Sequence, residues 1–173
     1  MPPLGQAMQK ASDGLNFGQN GSVQISARGD YAVRAMLELA VAYPSTLSAQ
    51  ALADAQALPR KFLEAVLADL RRSGVVHAVR GAEGGYVLSH PPKEITIGMV
   101  LRAVDGPLAG VRGHRPEQLS YTGTAVHLPQ LWVAVRAAVR NVVDEVSLAE
   151  LAAGNLPGRV HELTEGPDAW QPR

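Results

Sequence analysis

The stretch from residue 58 to residue 89, LPRKFLEAVLADLRRSGVVHAVRGAEGGYVLS, constrains the fold of this chain more than any other part of it. Its first half has apolar residues at helical spacing, which mark one buried face: Phe62, Leu63, Val66, Leu67 and Leu70. Pro59 suits the first turn of a helix, and Gly74 suits the left-handed residue just beyond the last turn. The pattern predicts a helix from Pro59 to Arg72 whose cationic side chains lie outside the buried face.

The second half of this stretch predicts a β-hairpin. Val75 to Val79 is one strand, the sequence RGAEGG forms the turn, and Tyr86 to Leu88 is the return strand. A helix followed at once by a hairpin with an arginine at its tip has the element order of a winged helix-turn-helix.

The residues before this stretch supply the rest of that motif. Ser26 is placed to cap a helix that runs up to Pro44, and Ser48 is placed to cap a short helix through about Ala55. Two helices joined by a turn of three or four residues form a helix-turn-helix, whose second helix enters the DNA major groove. Residues 23–25 could add a short strand to the edge of the hairpin.

The longest helix is predicted after a loop that is rich in turn formers. Thr96 first caps a helix that stops at Gly106, and the long helix then runs from Leu128 or Pro129 to Val146. Its apolar residues recur at spacings of four and three, a heptad pattern typical of two helices packed along their length. The predicted dimerisation residues are Leu128, Trp132, Val135, Val139, Val142 and Val146. The alternative is that this helix packs on its own domain.

The predicted fold is mainly α with a small β-hairpin wing, in which a winged helix-turn-helix domain precedes a long dimerisation helix. The first residues are rich in Gly, Gln, Asn and Ser and show no apolar period. The predicted divisions are a disordered leader at 1–22, a DNA-binding head at 23–92, an effector loop with dimerisation helices at 93–153 and a flexible tail at 154–173.

Composition excludes several classes of protein. Of the 173 residues, 46% are hydrophobic, which allows a globular core. No apolar run approaches the roughly 20 residues needed to span a bilayer, so we expect a cytoplasmic protein with no membrane partner. The sequence contains no Cys, which excludes a disulfide, a thiolate metal site and a cysteine nucleophile.

Charge is distributed unevenly along the chain. The formal net charge is zero, but residues 59–81 contain five Lys or Arg and two acidic residues. Residues 91–173 contain eight Lys or Arg and nine acidic residues. The cationic excess lies on the predicted helix and hairpin, where DNA phosphates would need it. The alternative is that these are ordinary solvated charges on a helix.

No pattern typical of a catalytic centre is found in the sequence. Ser, His and Asp form no recognisable nucleophilic constellation, and no His and Glu have metal-ligand spacing. Asp144 and Glu145 are adjacent, so on a helix they point in different directions and do not form a dyad. The glycine-rich turn of the hairpin lacks the GK[ST] of a phosphate-binding loop. We expect no catalytic residue, no metal site and no cofactor.

Five segments together resemble the Rrf2 family of bacterial dimeric winged-helix transcription regulators. They are ISARGDYAVRAMLEL at 25–39, PRKFLEAVLADLRRSGVV at 59–76, VRGAEGGYVLS at 79–89, ITIGMVLRAVDGPL at 95–108, and LW at 131–132 with the heptad around it. The resemblance covers residues 23–153, approximately the whole predicted ordered chain. The family includes the iron–sulfur cluster regulator, a nitric-oxide-sensing repressor and the cysteine-metabolism regulator.

The resemblance implies which residues contact DNA. The family's recognition helix corresponds to Pro59 to Arg72, and its wing motif RGxGGGY is present as RGAEGGY, which places Arg80 at the position of a minor-groove arginine. Glu83 stands where the family usually has Gly, and its carboxylate would lie beside phosphates at a mild electrostatic cost. The DNA-binding residues expected are Arg28, Ser48, Gln50, Arg60, Lys61, Phe62, Ala65, Arg72, Arg80, Gly81, Gly84, Gly85 and Tyr86.

The loop after Gly106 departs most from the family. Members that bind an iron–sulfur cluster have three Cys in this region, whereas this chain has none, and His114 and His127 are a poor ligand set for such a cluster. We therefore expect a member without a cluster, which has a small molecule or a partner protein as its effector or has no effector at all. A pocket for an effector could form where residues 108–127 meet the long helix and the helix of Tyr31 and Arg34, near Trp132. The alternative is that these residues belong to the core.

The predicted function is that of a sequence-specific regulator of transcription, a homodimeric repressor bound to a palindrome in double-stranded DNA. The alternative is a winged-helix interaction module that regulates a partner enzyme. Binding to a promoter by the unmodified chain distinguishes the two.

Overall fold

The computed structural model describes residues 25–81 and 84–172, and the predicted leader at 1–22 lies outside them. The elements are α1 Ala27–Ala42, α2 Ala49–Gln56, α3 Arg60–Arg72, β1 Val76–Val79, β2 Gly85–Leu88, α4 Ile97–Asp105, α5 Leu128–Val143, α6 Leu148–Ala153 and α7 Gly158–Thr164. Short 3-10 turns lie at Pro92–Glu94, Pro116–Gln118 and Gly123–Ala125. The predicted fold class, mainly α with a β-hairpin wing, is confirmed. Within the described residues no helix is long and apolar enough to cross a membrane.

Hydroxyl side chains begin three of the helices at the predicted places. The hydroxyl oxygens of Ser26, Ser48 and Thr96 each accept a hydrogen bond from the backbone N–H three residues further on, at 2.8, 3.1 and 3.2 Å. Each bond satisfies one of the N–H groups that the first turn of a helix leaves without a partner. The sequence signals for the starts of α1, α2 and α4 are therefore confirmed.

The buried face of α3 lies in the centre of the hydrophobic core. Four of its five predicted apolar residues, Leu63, Val66, Leu67 and Leu70, are fully buried. The fifth, Phe62, keeps 43% of its surface exposed because it lies at the edge of the apolar stripe, on the solvent side. Burial of each such aliphatic side chain stabilises the fold by about 1.5–3 kcal/mol, so this face fixes the rotation of α3 about its axis.

The boundary predicted between residues 92 and 93 does not separate two hydrophobic cores. Ile95, Val100 and Leu148 belong to the predicted second region, yet all three are fully buried in the core of the head. The backbone N–H of Ile97 donates to the carbonyl oxygen of Val146, and that of Leu148 donates to Ile95, both at 2.9 Å. This short pairing holds α6 beside the start of α4, so both helices belong to the head.

The long helix α5 ends at Val143, three residues before the predicted end. Val146 is only 6% exposed, and its carbonyl oxygen takes part in the pairing with the start of α4. The assignment of Val146 to the dimerisation residues is therefore wrong. Its apolar character reflects burial in the head of its own chain, although its spacing continues the heptad.

The segment predicted as a flexible tail, 154–173, contains the short helix α7. Beyond it, the Trp170 Nε1–H donates to the carbonyl oxygen of Thr164 at 2.8 Å. Regular structure thus extends past the point where the prediction ended it. None of the residues of α7 is buried, and its sequence has no apolar period that would predict a helix.

The hairpin forms as predicted, with β1 and β2 antiparallel. Val76 pairs with Leu88 and Val79 pairs with Gly85, which leaves residues 80–84 as the wing tip. Leu88 and Val76 are buried against the core, whereas Val79, at the end of β1 near the tip, is 46% exposed. The hairpin is therefore anchored at its base.

The free edge of β2 is covered by Leu47, and most of the strand predicted at 23–25 cannot be compared with it. Residues 23 and 24 lie outside the described part of the chain, and Ile25 is 62% exposed. Leu47 and Tyr86 exchange two backbone hydrogen bonds of 2.9 and 2.8 Å, which form an isolated bridge. A Cβ on Gly85 would lie 2.4 Å from the Leu47 carbonyl oxygen, so this close approach requires glycine.

Candidate nucleic-acid interface

The solvent side of α3 is the centre of the candidate DNA-binding surface. The chain turns from α2 into α3 through Ala57, which is left-handed at φ 51°, and the buried Leu58. The Leu58 N–H donates to the Ala53 carbonyl oxygen at 2.9 Å and closes this turn. Opposite its buried face, α3 then exposes Arg60, Lys61, Phe62, Glu64, Ala65, Arg71 and Arg72.

A hydrogen-bonded network joins the starts of α2 and α3. The Arg60 Nη1 donates to Gln50 Oε1 at 2.8 Å, while its Nε donates to Glu64 Oε1 at 2.9 Å. Gln50 Nε2 in turn donates to Asp54 Oδ1 at 2.7 Å. Two of the predicted DNA-binding residues, Gln50 and Arg60, are thus in direct contact. The network orients the guanidinium, which has five N–H donors and so retains some for a further partner.

The exposed Phe62 is supported from α1. Its ring meets the Tyr31 ring edge to face, with centroids 5.4 Å apart and planes at 83°. The Arg34 guanidinium carbon lies 5.9 Å from the Tyr31 ring centroid, and Arg34 Nε donates to Gln56 Oε1 at 3.1 Å. Aromatic pairs of this geometry contribute about 0.5–1.5 kcal/mol beyond their burial, so Phe62 is held in place on the surface.

A second ionic network joins α1 to the end of α3. Asp69 accepts hydrogen bonds from both Arg28 and Arg72, and the Arg72 contact measures 2.6 Å. The Asp69 side chain is 17% exposed, whereas the side chains of Arg28 and Arg72 are 41% and 76% exposed. Asp69 therefore gathers two predicted DNA-binding arginines at one place on the surface.

The wing carries the remaining predicted residues. Arg80 and Gly81 are exposed at its tip, and Gly81 has a φ of +120° that favours glycine. The Gly84 N–H donates to the Gly81 carbonyl oxygen at 3.0 Å and closes the tip on its return side. Residues 82 and 83, and with them the predicted effect of Glu83, lie outside the described part of the chain.

Three predicted residues also have structural duties. The Ser48 hydroxyl oxygen is occupied by the cap of α2, although a hydroxyl can still donate its proton to a phosphate. Gly85 and Tyr86 are half-buried and make the close pairing with Leu47. A role in DNA contact remains a prediction for all of these residues.

Sequence reasoning missed the acidic side chains that organise the surface. Asp54, Glu64 and Asp69 each bond a predicted DNA-binding residue. For Glu64 and Asp69 the signal was available, because residues three and four apart on a helix are neighbours and each acid has an arginine at that distance. The link between Gln50 and Arg60 spans two helices, and spacing in the sequence does not reveal it.

The donor set of the chain does not fit an iron–sulfur cluster. Such clusters are held by thiolates, with histidine as a partial substitute, and the sequence has no Cys. No three His, Asp or Glu side chains come together as a metal site in the part of the chain that the structure describes. Asp144 forms ion pairs with Arg102 and Arg140.

The helix α5 has an unusual surface for an element of this length. None of its residues is buried in the isolated chain, although most of them are apolar. The helix contacts the 3-10 turn at Pro116–Gln118 and α4. The predicted dimerisation residues in it, Leu128, Trp132, Val135, Val139 and Val142, are half-buried. Next to them, Leu131 and Val133 remain 53% and 37% exposed.

A pocket for an effector is predicted where residues 108–127 meet the long helix. A cleft does form between α5 and the loop before it, but Tyr31, Arg34 and Trp132 do not line it. The Tyr31 ring instead meets the Phe62 ring, and the Arg34 guanidinium lies over the Tyr31 ring. Tyr31 also packs against the hydrophobic core, which is the alternative to a place in a pocket.

Comparison with known proteins agrees with the architecture. The sequence matches the family model of Rrf2, described as an iron-dependent transcriptional regulator, over residues 25–154. A Mycobacterium tuberculosis protein that bears the name of an HTH-type transcriptional regulator is 44% identical over 83% of this chain and 89% of its own length. The HTH-type transcriptional regulator CymR of Bacillus subtilis is 33% identical over 76% of this chain and 91% of its own.

Solved structures of regulators have the same fold. The structure of CymR, the global cysteine regulator of B. subtilis, superposes with a TM-score of 0.65 at 34% identity, over 77% of this chain and 98% of that one. The IscR structure from T. potens gives a TM-score of 0.62 at 29% identity, over 77% and 88%. These relatives are regulators and not enzymes. The chain therefore belongs to the Rrf2 family of transcriptional regulators, as a member without cysteine.

Proposed function

We propose that this DNA-binding regulator is a homodimeric repressor that binds a palindromic operator in the cytoplasm and carries no iron–sulfur cluster. One observation carries the proposal: α3, the start of α1 and the wing tip each carry solvent-accessible arginines, and the family is one of DNA-binding regulators. The cationic residues of these three segments are Arg28, Arg60, Lys61, Arg71, Arg72 and Arg80.

The arrangement suits one group of cationic residues to base contacts and another group to phosphate contacts. Arg60 and Lys61 lie in the first turn of α3, the part of a recognition helix that comes nearest to base edges in the major groove. Arg28 and Arg72, joined through Asp69, are placed to contact phosphates and fix the register of the head. Arg80 at the wing tip suits a narrow minor groove, which attracts arginine through its negative potential.

The homodimer is supported by the surface of α5. A 16-residue helix with no buried residue leaves apolar side chains partly in water, and a second copy of the chain could cover them. A two-fold axis would present two copies of α3 to half-sites one helical turn apart, about 34–36 Å, or a multiple of that distance. The palindrome of the operator would mirror this axis.

Repression would then be steric, because a bound dimer covers the DNA that RNA polymerase needs. The test is transcription in vitro from a promoter fragment that contains the operator, with increasing amounts of the purified chain. We expect the transcript to decrease in step with operator occupancy. An increase of the transcript on binding would identify an activator, and promoter fragments that remain unbound would favour the interaction module.

A further inference from the structure

A cleft of about 420 Å³ lies between α4, the loop that follows it and α5, outside the candidate DNA-binding surface. Four of the side chains that line it are arginines from three different segments, and one is a glutamate. The lining residues are Arg102, Gly106, Pro107, Leu108, Arg115, Glu117, Arg136 and Arg140.

Three of these arginines are held in place by carboxylates. Arg136 Nη1 lies 2.5 Å from Glu117 Oε2, and the Arg136 side chain is 20% exposed. At the other end of the cleft, Arg102 Nη2 lies 2.8 Å from Asp144 Oδ1 and Arg140 Nε lies 3.3 Å from Asp144 Oδ2. Each pair uses only some of the five N–H donors of its guanidinium, so donors remain for a ligand.

The fourth arginine completes an excess of positive charge. Arg115 is exposed, and no carboxylate oxygen of the described residues lies within 4 Å of its guanidinium nitrogens. Four guanidinium groups thus face two carboxylates, which leaves two positive charges in excess around the cleft. Like charges brought together in this way repel one another unless an anion lies among them.

The two carboxylates remain ionised at neutral pH, so the excess is two and not four. The pKa of Glu117 is lowered first by a hydrogen bond from its own backbone N–H. Burial acts to raise this pKa, and the nearby Arg136 lowers it further. Burial acts to raise the pKa of Asp144, but Arg102 and then Arg140 outweigh it, and the net pKa is lowered.

We propose that this cleft binds a small anion with at least two negative charges, whose carboxylate or phosphate oxygens accept hydrogen bonds from Arg115, Arg136 and Arg140. Planar guanidinium groups match both kinds of oxyanion in a two-bonded geometry. A neutral or cationic ligand would leave the excess charge without compensation. The position of the cleft identifies its ligand as the effector of this regulator.

The position also shows how such an effector would reach the rest of the molecule. Arg136 and Arg140 belong to α5, the proposed dimerisation helix, whereas Arg102 belongs to α4, which packs against α1 and α3. A bound anion therefore lies between the long helix and α4, the helix that packs against the recognition helix. This consequence for regulation rests on the proposed function, but the binding of the anion does not.

Isothermal titration of the full chain without DNA tests the cleft directly. The probes are pyrophosphate and citrate, titrated separately, with sodium chloride of equal ionic strength as the reference. The variants are Arg115→Gln and Arg140→Gln, and the matched control is Arg159→Gln, whose arginine lies on α7 away from the cleft, 4.0 Å from Glu162. Circular dichroism verifies that each variant is folded.

We expect saturable binding of at least one probe, weakened about tenfold by each cleft variant and unchanged by Arg159→Gln. Binding of pyrophosphate alone would identify a phosphate ligand, and binding of citrate alone a carboxylate ligand. The proposal is overturned if neither probe binds below about 10 mM, or if the control weakens binding as much as the cleft variants do. Operator affinity is measured separately, so its loss in a chain that still binds the anion counts only against the proposed function.

Discussion

Gln50 and Arg60 join the two helices of the helix-turn-helix, since Gln50 Oε1 accepts a hydrogen bond from Arg60 Nη1 at 2.8 Å. Gln50 lies in the first turn of α2 and Arg60 begins α3, so the bond spans the turn between them. Through this bond Gln50 of α2 orients the side chain of Arg60, which is expected to read bases from the start of α3. Both side chains are exposed, so the bond contributes orientation more than stability.

Replacement of Arg60 by alanine is expected to weaken operator binding by about 1–3 kcal/mol and to relax specificity at one base position. Gln50→Ala should weaken binding less, because Arg60 stays present but loses its orientation. Fluorescence anisotropy with operator duplexes substituted at single positions measures both effects.

The double variant shows whether the two residues act together. If Gln50 works through Arg60, the loss in Gln50→Ala/Arg60→Ala will be smaller than the sum of the single losses. Strictly additive losses would contradict this coupling.

Arg80→Ala is expected to reduce the slope of log affinity against log salt by about one and to weaken binding at every salt concentration. The reason is that an arginine in the minor groove displaces condensed cations from the phosphates on both sides. Arg159→Ala, on α7 and outside the DNA surface, serves as the matched control. If the slope is unchanged in Arg80→Ala, the wing does not contact the DNA.

Val139→Arg is expected to convert a dimer into monomers, because a charge on the half-buried side of α5 cannot be covered by a second copy. Sedimentation velocity at several concentrations measures the change. Operator affinity should fall in parallel, since each head would bind its half-site alone.

The control for this prediction is Val41→Arg, which also places an arginine on an apolar site. Val41 is 76% exposed near the end of α1, so its replacement should leave the sedimentation coefficient unchanged. If Val139→Arg sediments like the unmodified chain, α5 packs on its own domain and does not mediate the dimer.

Gly98→Ala is expected to destabilise the fold by about 1–2 kcal/mol despite the better helix propensity of alanine. A Cβ at this position would lie 1.8 Å from Asp144 Oδ1, so Asp144 must leave its ion pairs with Arg102 and Arg140. In the Asp144→Ala background the carboxylate that would clash with the new Cβ is absent. Gly98→Ala should then be neutral or stabilising by up to about 1 kcal/mol. Urea unfolding of the four proteins measures this reversal of sign, and destabilisation in both backgrounds would argue against it.

The contribution of Asp144 to stability is expected to disappear in acid. Its pKa in the folded chain lies below the ordinary value of 3.8, because Arg102 and Arg140 outweigh the effect of burial. The stability it provides is therefore complete above that value and is lost as the pH falls through the folded pKa. The difference in unfolding free energy between the unmodified chain and Asp144→Asn should shrink from about pH 5 to about pH 2.5. A difference that stays constant over this range would mean that the ion pairs contribute nothing.

The sequence was sufficient to predict the elements that have strong local signals. The caps at Ser26, Ser48 and Thr96, and the apolar face of α3, are patterns within a few residues, and all of them are confirmed. The hairpin follows from its glycine-rich turn. The family resemblance is confirmed as well, and with it the kind of molecule that the head binds.

The failures concern contacts between segments that are distant in sequence. Val146 continues the heptad spacing, yet its place is decided by its pairing with the start of α4, about fifty residues away. The covering of β2 by Leu47, and the cleft with four arginines, likewise arise only when the chain folds. Spacing reveals a face of a helix but not which neighbour covers it.

The most direct test of DNA recognition is the selection of genomic fragments by the purified full chain, followed by competition between the selected duplex and a scrambled duplex at physiological salt. We predict that the selected fragments share a palindrome and that its affinity exceeds that of the scrambled duplex by about 10³ or more. Equal affinity for the two duplexes, or the absence of any enriched sequence, would contradict the assignment of this surface to operator recognition.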